Sequence, residues 1–306
     1  MRILITGVTG FLGRHIAGRL LAEGHEVTGI ARNVPAEPLP AGLRFLPASM
    51  AETAVLAPLI ARSDWLVHLA WDGTPASSQG LPVWEISANV LPTAQLLEAL
   101  QARTQCRVLF VSTGGALHAG GSEAANEQRR LSPRSYYGAA KGAVELMLQA
   151  LSRQTGHRMS VLRPSNVYGP GQPARAGFGV IPALMRCAKD GLAFEVMGSG
   201  STARDFLYIG DFLDIVGKTL AREVQAPGVE VLNAGSGTLV SIDALCEHME
   251  RITGVSITRH TSEARSVDPP QVLLDCCRAE ALLGWQARMP IEEGLRLTWR
   301  WWRALP

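Results

Sequence analysis

Cysteine is scarce in this 306-residue chain, and the five present (Cys106, Cys187, Cys246, Cys276 and Cys277) are odd in number and lack paired metal-ligand spacing. That argues against a disulfide framework and against a bound metal, and it predicts a reduced, cytoplasmic setting. Long apolar runs are missing too. None reaches the roughly 18–20 residues needed to cross a bilayer, so no membrane partner is expected. Charge of one sign is not in excess: 29 lysines and arginines face 27 aspartates and glutamates, leaving +2. Such a balance offers no basic face for nucleic acid or anionic lipid. The opening Met-Arg-Ile-Leu-Ile-Thr-Gly shows no signal-peptide pattern. What the chain does have is apolar residues, 47% of the total, ample for a sizeable core and incompatible with disorder. Its 31 glycines and 18 prolines follow no period, which excludes collagen-like and linker architectures.

The apolar pattern alternates between two periods. Residues 2–6 read as a buried strand, and Phe11, Leu12, Ile16, Ala17, Leu20 and Leu21 recur at helical spacing up to Gly24. A second strand over 25–30 completes a βαβ unit. Strands over 64–70, 107–111 and 158–163 alternate with helices near 89–103 and 137–155. Continuous apolar strands between helices predict a doubly wound α/β fold, a parallel Rossmann-type sheet covered on both faces. After Pro164 the rhythm changes to a Gly/Pro-rich loop over 169–179, helices, and short strands near 229–232 and 255–258. A smaller C-terminal α/β substrate domain is expected there. The division is 1–166 with 205–238 for the dinucleotide-binding part and 167–204 with 239–306 for the substrate part. The tail, with Trp299, Trp301 and Trp302 among arginines, reads as a packed terminal helix rather than an interfacial one.

Gly7-Val8-Thr9-Gly10-Phe11-Leu12-Gly13 follows the first strand and opens the first helix. Glycines in such a turn let the backbone approach a pyrophosphate, whose charge then meets the positive helix N-terminus. Gly7, Gly10, Phe11, Leu12 and Gly13 are therefore expected to contact a dinucleotide. At the end of the second strand an acid would bind the ribose hydroxyls of NAD. Ala31 and Arg32 stand there instead: the small residue removes repulsion of a 2′-phosphate and the guanidinium can pair with one. The reading leans to NADP, with NAD retained.

The second chemical signal is Ser135-Tyr136-Tyr137-Gly138-Ala139-Ala140-Lys141, in which Tyr137 and Lys141 are four apart and share a helix face. A phenol ionises near pH 10, too high for base chemistry at neutral pH, and a neighbouring ammonium is expected to lower it. Such a pair can exchange a proton with a carbinol while a nicotinamide exchanges the hydride. A hydroxyl from the end of the preceding strand, Ser112 or Thr113, would shape the reacting oxygen, unless both merely satisfy turn amides.

With these motifs in order, the chain resembles an extended short-chain dehydrogenase/reductase of the NAD-dependent epimerase/dehydratase family. The resemblance spans the whole chain, through His68-Leu69-Ala70, Asn89-Val90, Leu162-Arg163-Pro164-Ser165-Asn166-Val167-Tyr168-Gly169, Arg204-Asp205-Phe206 and Leu283-Gly284-Trp285. It implies that Leu69 and Ala70 line the nicotinamide-ribose side, that Asn89 steadies the active site, and that Asn166, Arg204 and Arg265 contact a nucleotide diphosphate. An ion pair with Asp205 or Asp211 is the other reading of Arg204. The chain departs from the family pattern at Gly114, where the catalytic hydroxyl usually sits, passing that role to Thr113 or Ser112. Gly114-Gly115 also replaces the acidic pair of the dehydratases, which disfavours dehydration, and Ala48-Ser49 replaces an aspartate that meets adenine.

The function expected from this resemblance is nucleotide-sugar epimerisation through a transient keto-sugar. The alternative is an NADPH-dependent nucleotide-4-keto-sugar reductase. A catalytically silent NADP-binding redox sensor is disfavoured by the intact Tyr137/Lys141 pair. A homodimer is also expected, because Val144, Leu146, Met147, Leu148 and Leu151, with Leu96, Leu97 and Leu100, exceed one buried stripe.

Overall fold

The computed structural model describes residues 1–305 except 102–104, 175–178, 225, 265–266 and 270. The strands are β1 (Arg2–Thr6), β2 (Glu26–Ala31), β3 (Arg44–Pro47), β4 (Trp65–His68), β5 (Arg107–Val111), β6 (Arg158–Pro164), β7 (Asn166–Tyr168), β8 (Phe194–Met197), β9 (Ala203–Tyr208), β10 (Gly228–Ala234), β11 (Leu239–Ser241) and β12 (Arg259–Ser262). The helices are α1 (Phe11–Ala22), α2 (Thr53–Ala61), α3 (Pro82–Glu85), α4 (Leu91–Leu100), α5 (Tyr136–Thr155), α6 (Val180–Asp190), α7 (Ile209–Ala221), α8 (Ile242–Thr253), α9 (Cys277–Leu283) and α10 (Ile291–Ala304). No helix among the described residues is long and apolar enough to cross a membrane.

Seven parallel strands form the main sheet in the order β10-β6-β5-β4-β1-β2-β3. Alternate side chains of each strand point to opposite faces, and both faces are covered. Ile3, Ile5, Val67 and Leu109 meet α1, α7 and Trp285 on one side. Leu4, Leu66, Val108 and Phe110 meet α2, α4 and α5 on the other. The chain runs outward through β2 and β3, then returns to the opposite flank of β1 with β4. The carboxyl ends of β1 and β4 therefore diverge at a switch point, where open α/β sheets bind their ligands.

Beyond Pro164, β7, β9 and β11 make a separate three-stranded sheet, and β8 pairs with β12. Leu184, Met185, Leu245, Met249, Leu295 and Trp302 form a second core between α6, α8 and α10, so the tryptophan-rich tail is a packed helix.

Three sequence expectations are corrected. The helix expected near 89–103 is composite: α3 runs into a π-turn at Ile86–Val90 and then into α4. A π-turn inserts a residue and re-aims its neighbours, and Glu85 and Asn89 both face inward as a result. The end of that expected helix, 102–104, lies outside the described residues. The strand expected over 255–258 lies later, at β12, because Gly254 closes α8 and the amide of Ile257 is bound by the Glu250 carboxylate. The apolar surplus of α5 is mostly consumed within the subunit: Val144, Leu148 and Leu151 are 0%, 1% and 5% exposed, packed with Leu96, Leu97 and Leu100. Among the outward apolar residues of this flank are Leu146, Ile86 and Leu91, at 61%, 57% and 53%, with Val83 at 77%.

Candidate active site

The glycine turn closes directly onto the end of β4. Gly7 has φ +72°, and a Cβ there would lie 2.7 Å from the Ala70 nitrogen. A Cβ on Gly13 would lie 2.4 Å from the Gly7 carbonyl oxygen, so α1 is seated hard against the turn. The α1 N-cap, Gly10, offers no side-chain hydrogen bond, which leaves the first amides of Phe11, Leu12 and Gly13 without intrahelical acceptors. Beside them opens a cleft of about 320 Å³, lined by Gly7, Gly10, Ala31, Arg32, Leu69, Ala70 and Asn89 among others. A positive helix end over a shallow, partly apolar cleft fits a dinucleotide. Ala48 and Ser49 line the same cleft.

Thr6, which sequence reasoning missed, holds this corner together. Its hydroxyl bonds His68 Nδ1 at 2.8 Å and accepts the Leu69 and Ala70 amide hydrogens, both at 3.2 Å. Burial, and then the charge of Lys141, push the His68 imidazole down to about 3, so it serves as a neutral strut.

The chemical cluster lies along α5. Ser135 caps the helix by accepting from the Gly138 amide at 3.1 Å, and Ser78 accepts the Tyr137 amide at 3.2 Å. Thr113 is the hydroxyl that acts on the Tyr137 phenol, favouring its ionisation. Ser112 does not reach it: its residue is 4% exposed, and its hydroxyl is buried without a hydrogen-bond partner among the described residues. Successive residues leaving a strand point opposite ways, which separates the two hydroxyls that spacing had left equivalent.

Lys141 donates to the Val111 carbonyl at 2.9 Å and stands over the Trp71 ring, 3.9 Å from its centroid. Its Nζ is 6.0 Å from the Tyr137 ring centroid. The expectation that this ammonium lowers the phenol's pKa is corrected: burial first, then the charge of Glu85, push Tyr137 well above its ordinary range, and only the Thr113 hydroxyl pulls it down. Lys141 itself is pushed down to about 7 by burial, against the pull of Glu85 and Glu145. The indole face, not the phenol, receives the ammonium.

Arg32 points across the cleft mouth to Asp72, with Nη2 2.7 Å from Oδ2. Asn89 fixes Asp72 from behind, accepting its amide hydrogen at 2.6 Å and donating to its carbonyl at 2.9 Å. Asn166 and Arg204 lie on the adjacent parallel strands β7 and β9. Asn166 donates to the Asp205 carbonyl at 2.9 Å, and Arg204 donates to the Ala203 carbonyl at the same distance. The Asp205 carboxylate is occupied by Ser165 and Ser236, and Asp211 accepts from the Met289 amide. Arg265 lies outside the described residues. Among the described residues no group of three or more His, Cys, Asp or Glu could hold a metal ion.

A family model described as the NAD dependent epimerase/dehydratase family matches residues 3–235. The chain belongs to this family. It is 29% identical over 315 residues to a UDP-glucose 4-epimerase of Mycolicibacterium smegmatis, covering 99% of each chain. It is 30% identical to a UDP-glucuronic acid decarboxylase 1 of Xenopus tropicalis, over 99% of this chain and 72% of that one. A solved UDP-glucose 4-epimerase from Thermus thermophilus in complex with NAD superposes with a TM-score of 0.92, at 26% identity over 99% of each chain.

As a member of the epimerase/dehydratase family, the chain has a physical reason for its Gly114. A Cβ at that position would lie 2.3 Å from Leu274 Cδ1 and 3.1 Å from the Arg163 carbonyl oxygen. Leu274 is buried and returns from the C-terminal segment to fill the space that a serine or threonine would need. Glu85 and Trp71 are further residues that sequence reasoning missed. Glu85 stands four positions before Asn89 and Trp71 directly follows His68-Leu69-Ala70, spacings that a helix-face search around those motifs would have found.

Proposed function

We propose that the chain is a nucleotide-sugar 4-epimerase working through a transient keto-sugar, with a bound dinucleotide of the NAD(P) class. The observation that carries this reading is the Tyr137 phenol, one helical turn from Lys141 with the ammonium 6.0 Å from its ring, at the carboxyl ends of the strands that border the glycine cleft. The glycine turn and the first amides of α1 would hold the pyrophosphate; Leu69, Ala70 and Asn89 would line the nicotinamide side. When bound, the oxidised nicotinamide supplies reversible hydride acceptance. Tyr137 takes the proton from the sugar hydroxyl and later returns it, Thr113 orients the reacting oxygen, and Lys141 supplies positive charge beside them. Asn166, Arg204 and Arg265 are proposed to receive the diphosphate, for which guanidinium forks are suited.

Incubating the purified protein with UDP-glucose, then separating the products, tests the reading. Formation of the 4-epimer with tightly retained oxidised cofactor is expected. Protein that carries no cofactor, consumes NADPH with keto-sugars and forms no epimer would instead be a reductase.

The choice between NADP and NAD turns on one ion pair. Ala31 and Arg32 favour the 2′-phosphate, and the exposed Arg32–Asp72 pair is weak enough for a phosphate to displace. Arg32→Ala is expected to weaken NADP binding more than NAD, since a hydrogen bond to a charged group contributes about 1.5–3 kcal/mol. Asp72→Asn is expected to strengthen NADP selectively by removing a competing carboxylate. Equal calorimetric changes for both dinucleotides would mean that Arg32 does not read the phosphate.

The homodimer is proposed to form through the outward faces of the π-turn, α4 and α5, which lie side by side. Leu151, one of the apolar positions of α5, lies in the subunit core and takes no part in this surface. Ile86→Glu with Leu91→Glu is expected to give a folded monomer by light scattering, with its melting temperature retained. A dimer unaffected by both changes would place the interface elsewhere.

A further inference from the structure

Glu85 is 1% exposed, at the point where α3 enters the π-turn. Its Oε1 accepts from Trp71 Nε1 at 2.9 Å and from Asn89 Nδ2 at 2.8 Å, while Oε2 is buried with no hydrogen-bond partner among the described residues. The indole whose edge it holds presents its face to Lys141, 3.9 Å from the ammonium, and its ring edge-on to Tyr137, centroids 6.1 Å apart. The other buried carboxylate nearby, Glu145, is committed to Arg163 by three hydrogen bonds. Trp71 is thus gripped by an acid at one end and receives a cation on its face.

We propose that Glu85 is a positioning residue for the Tyr137–Lys141 pair, its carboxylate seating Lys141 as a charged ammonium on the face of Trp71.

The physical need is plain. A buried ammonium without a carboxylate sheds its proton, because burial penalises the charged form. An indole face attracts a cation but supplies no net charge. The titratable groups that bear on Lys141 are Glu85 from α3, Glu145 and Tyr137 from α5, and His68 from β4, with Asp72 acting on Glu85 and Arg163 from β6 paired to Glu145. Arg163 neutralises Glu145, Asp72 faces Arg32, and His68 is neutral. Glu145 still pulls on Lys141, but Glu85 is the larger influence and the acid not committed to an arginine. Burial drives its own carboxyl upward, opposed by the Asn89 and Trp71 bonds and by the charge of Lys141, so acid and ammonium each favour the other's charged form against burial.

The inference rests on the reading that Tyr137 exchanges the sugar proton, and its test separates the two. Glu85→Gln keeps an acceptor for Trp71 and Asn89 and removes only the charge. The Tyr137 phenol, read as the ultraviolet difference between each protein and its Tyr137→Phe counterpart, is expected to ionise about one pH unit lower in Glu85→Gln. The limbs of the kcat/KM profile should move to lower pH with it, the alkaline limb because Lys141 loses its proton sooner. Trp71→Phe, which keeps a face for Lys141 but loses the donor to Glu85, is expected to combine non-additively with Glu85→Gln. An unmoved phenol titration, unmoved limbs or strictly additive losses overturn the role of Glu85. Full turnover in Tyr137→Phe overturns the functional reading instead, and leaves the phenol titration to judge Glu85.

Discussion

Tyr137→Phe is expected to lower kcat by about 10²–10⁴-fold, the usual worth of a positioned proton donor and acceptor, while leaving dinucleotide affinity nearly unchanged. The ring packs edge-on to Trp71, and phenylalanine keeps that contact. What it removes is the phenol oxygen, the atom that would exchange the proton. Burial and Glu85 hold this phenol protonated well past neutrality in the cofactor-free protein, so it rests as a donor. Removing a sugar proton then requires positive charge nearby, from Lys141 and, when bound, from the oxidised nicotinamide. Turnover should accordingly fall as pH rises through the point where Lys141 loses its proton, since that charge is then gone. Stopped-flow measurement of hydride transfer, with calorimetric titration of the cofactor, checks both halves. A Phe variant that turns over normally would take Tyr137 out of the mechanism.

The second large effect is expected from a single methyl group. Gly13→Ala would put a Cβ 2.4 Å from the Gly7 carbonyl oxygen and 2.7 Å from Val8 Cα, both backbone atoms that cannot rotate away. The helix must back out of the turn. Overpacking of this kind costs about 1–3 kcal/mol, and the displaced first turn should lose its grip on a pyrophosphate. Expected together are a lower melting temperature and loss of measurable dinucleotide binding. Gly217→Ala is the control: it lies inside α7 with nothing within 4 Å of the added Cβ, and helix propensity makes it neutral or stabilising. If Gly13→Ala binds cofactor like the unaltered protein, the glycine turn is not the pyrophosphate site.

Both predictions draw on residues visible in the linear sequence, and so does most of the fold. Ile3, Leu4 and Ile5 read as a strand buried on both faces because their apolar run is continuous, and the same holds for Val108, Leu109 and Phe110. Gly7, Gly10 and Gly13 could be placed because a strand, a turn and an amphipathic helix meet there within a few residues. Tyr137 and Lys141 could be paired because helical geometry fixes what lies four residues apart.

The tertiary structure decided whatever depends on residues far apart in the chain. Ser112 and Thr113 were equivalent by spacing; the direction in which the strand end turns gave the phenol to Thr113. Gly114 was an unexplained departure until Leu274, from a distant segment, was seen to occupy its space. Val144, Leu148 and Leu151 read as an apolar surplus awaiting a partner, and α4 and the sheet supplied it within the subunit. Arg32 read as a free guanidinium, yet Asp72 crosses the cleft to meet it. The sign of the phenol's shift also reversed, because a pKa depends on burial and on every nearby charge, and Glu85 and Trp71 come from segments more than fifty residues away in the chain. Sequence by itself determined the local elements and the chemistry of the pairs within them, since hydrogen bonding and side-chain periodicity act over a few residues. Contact, desolvation and electrostatics act through space, and only the folded chain decides them.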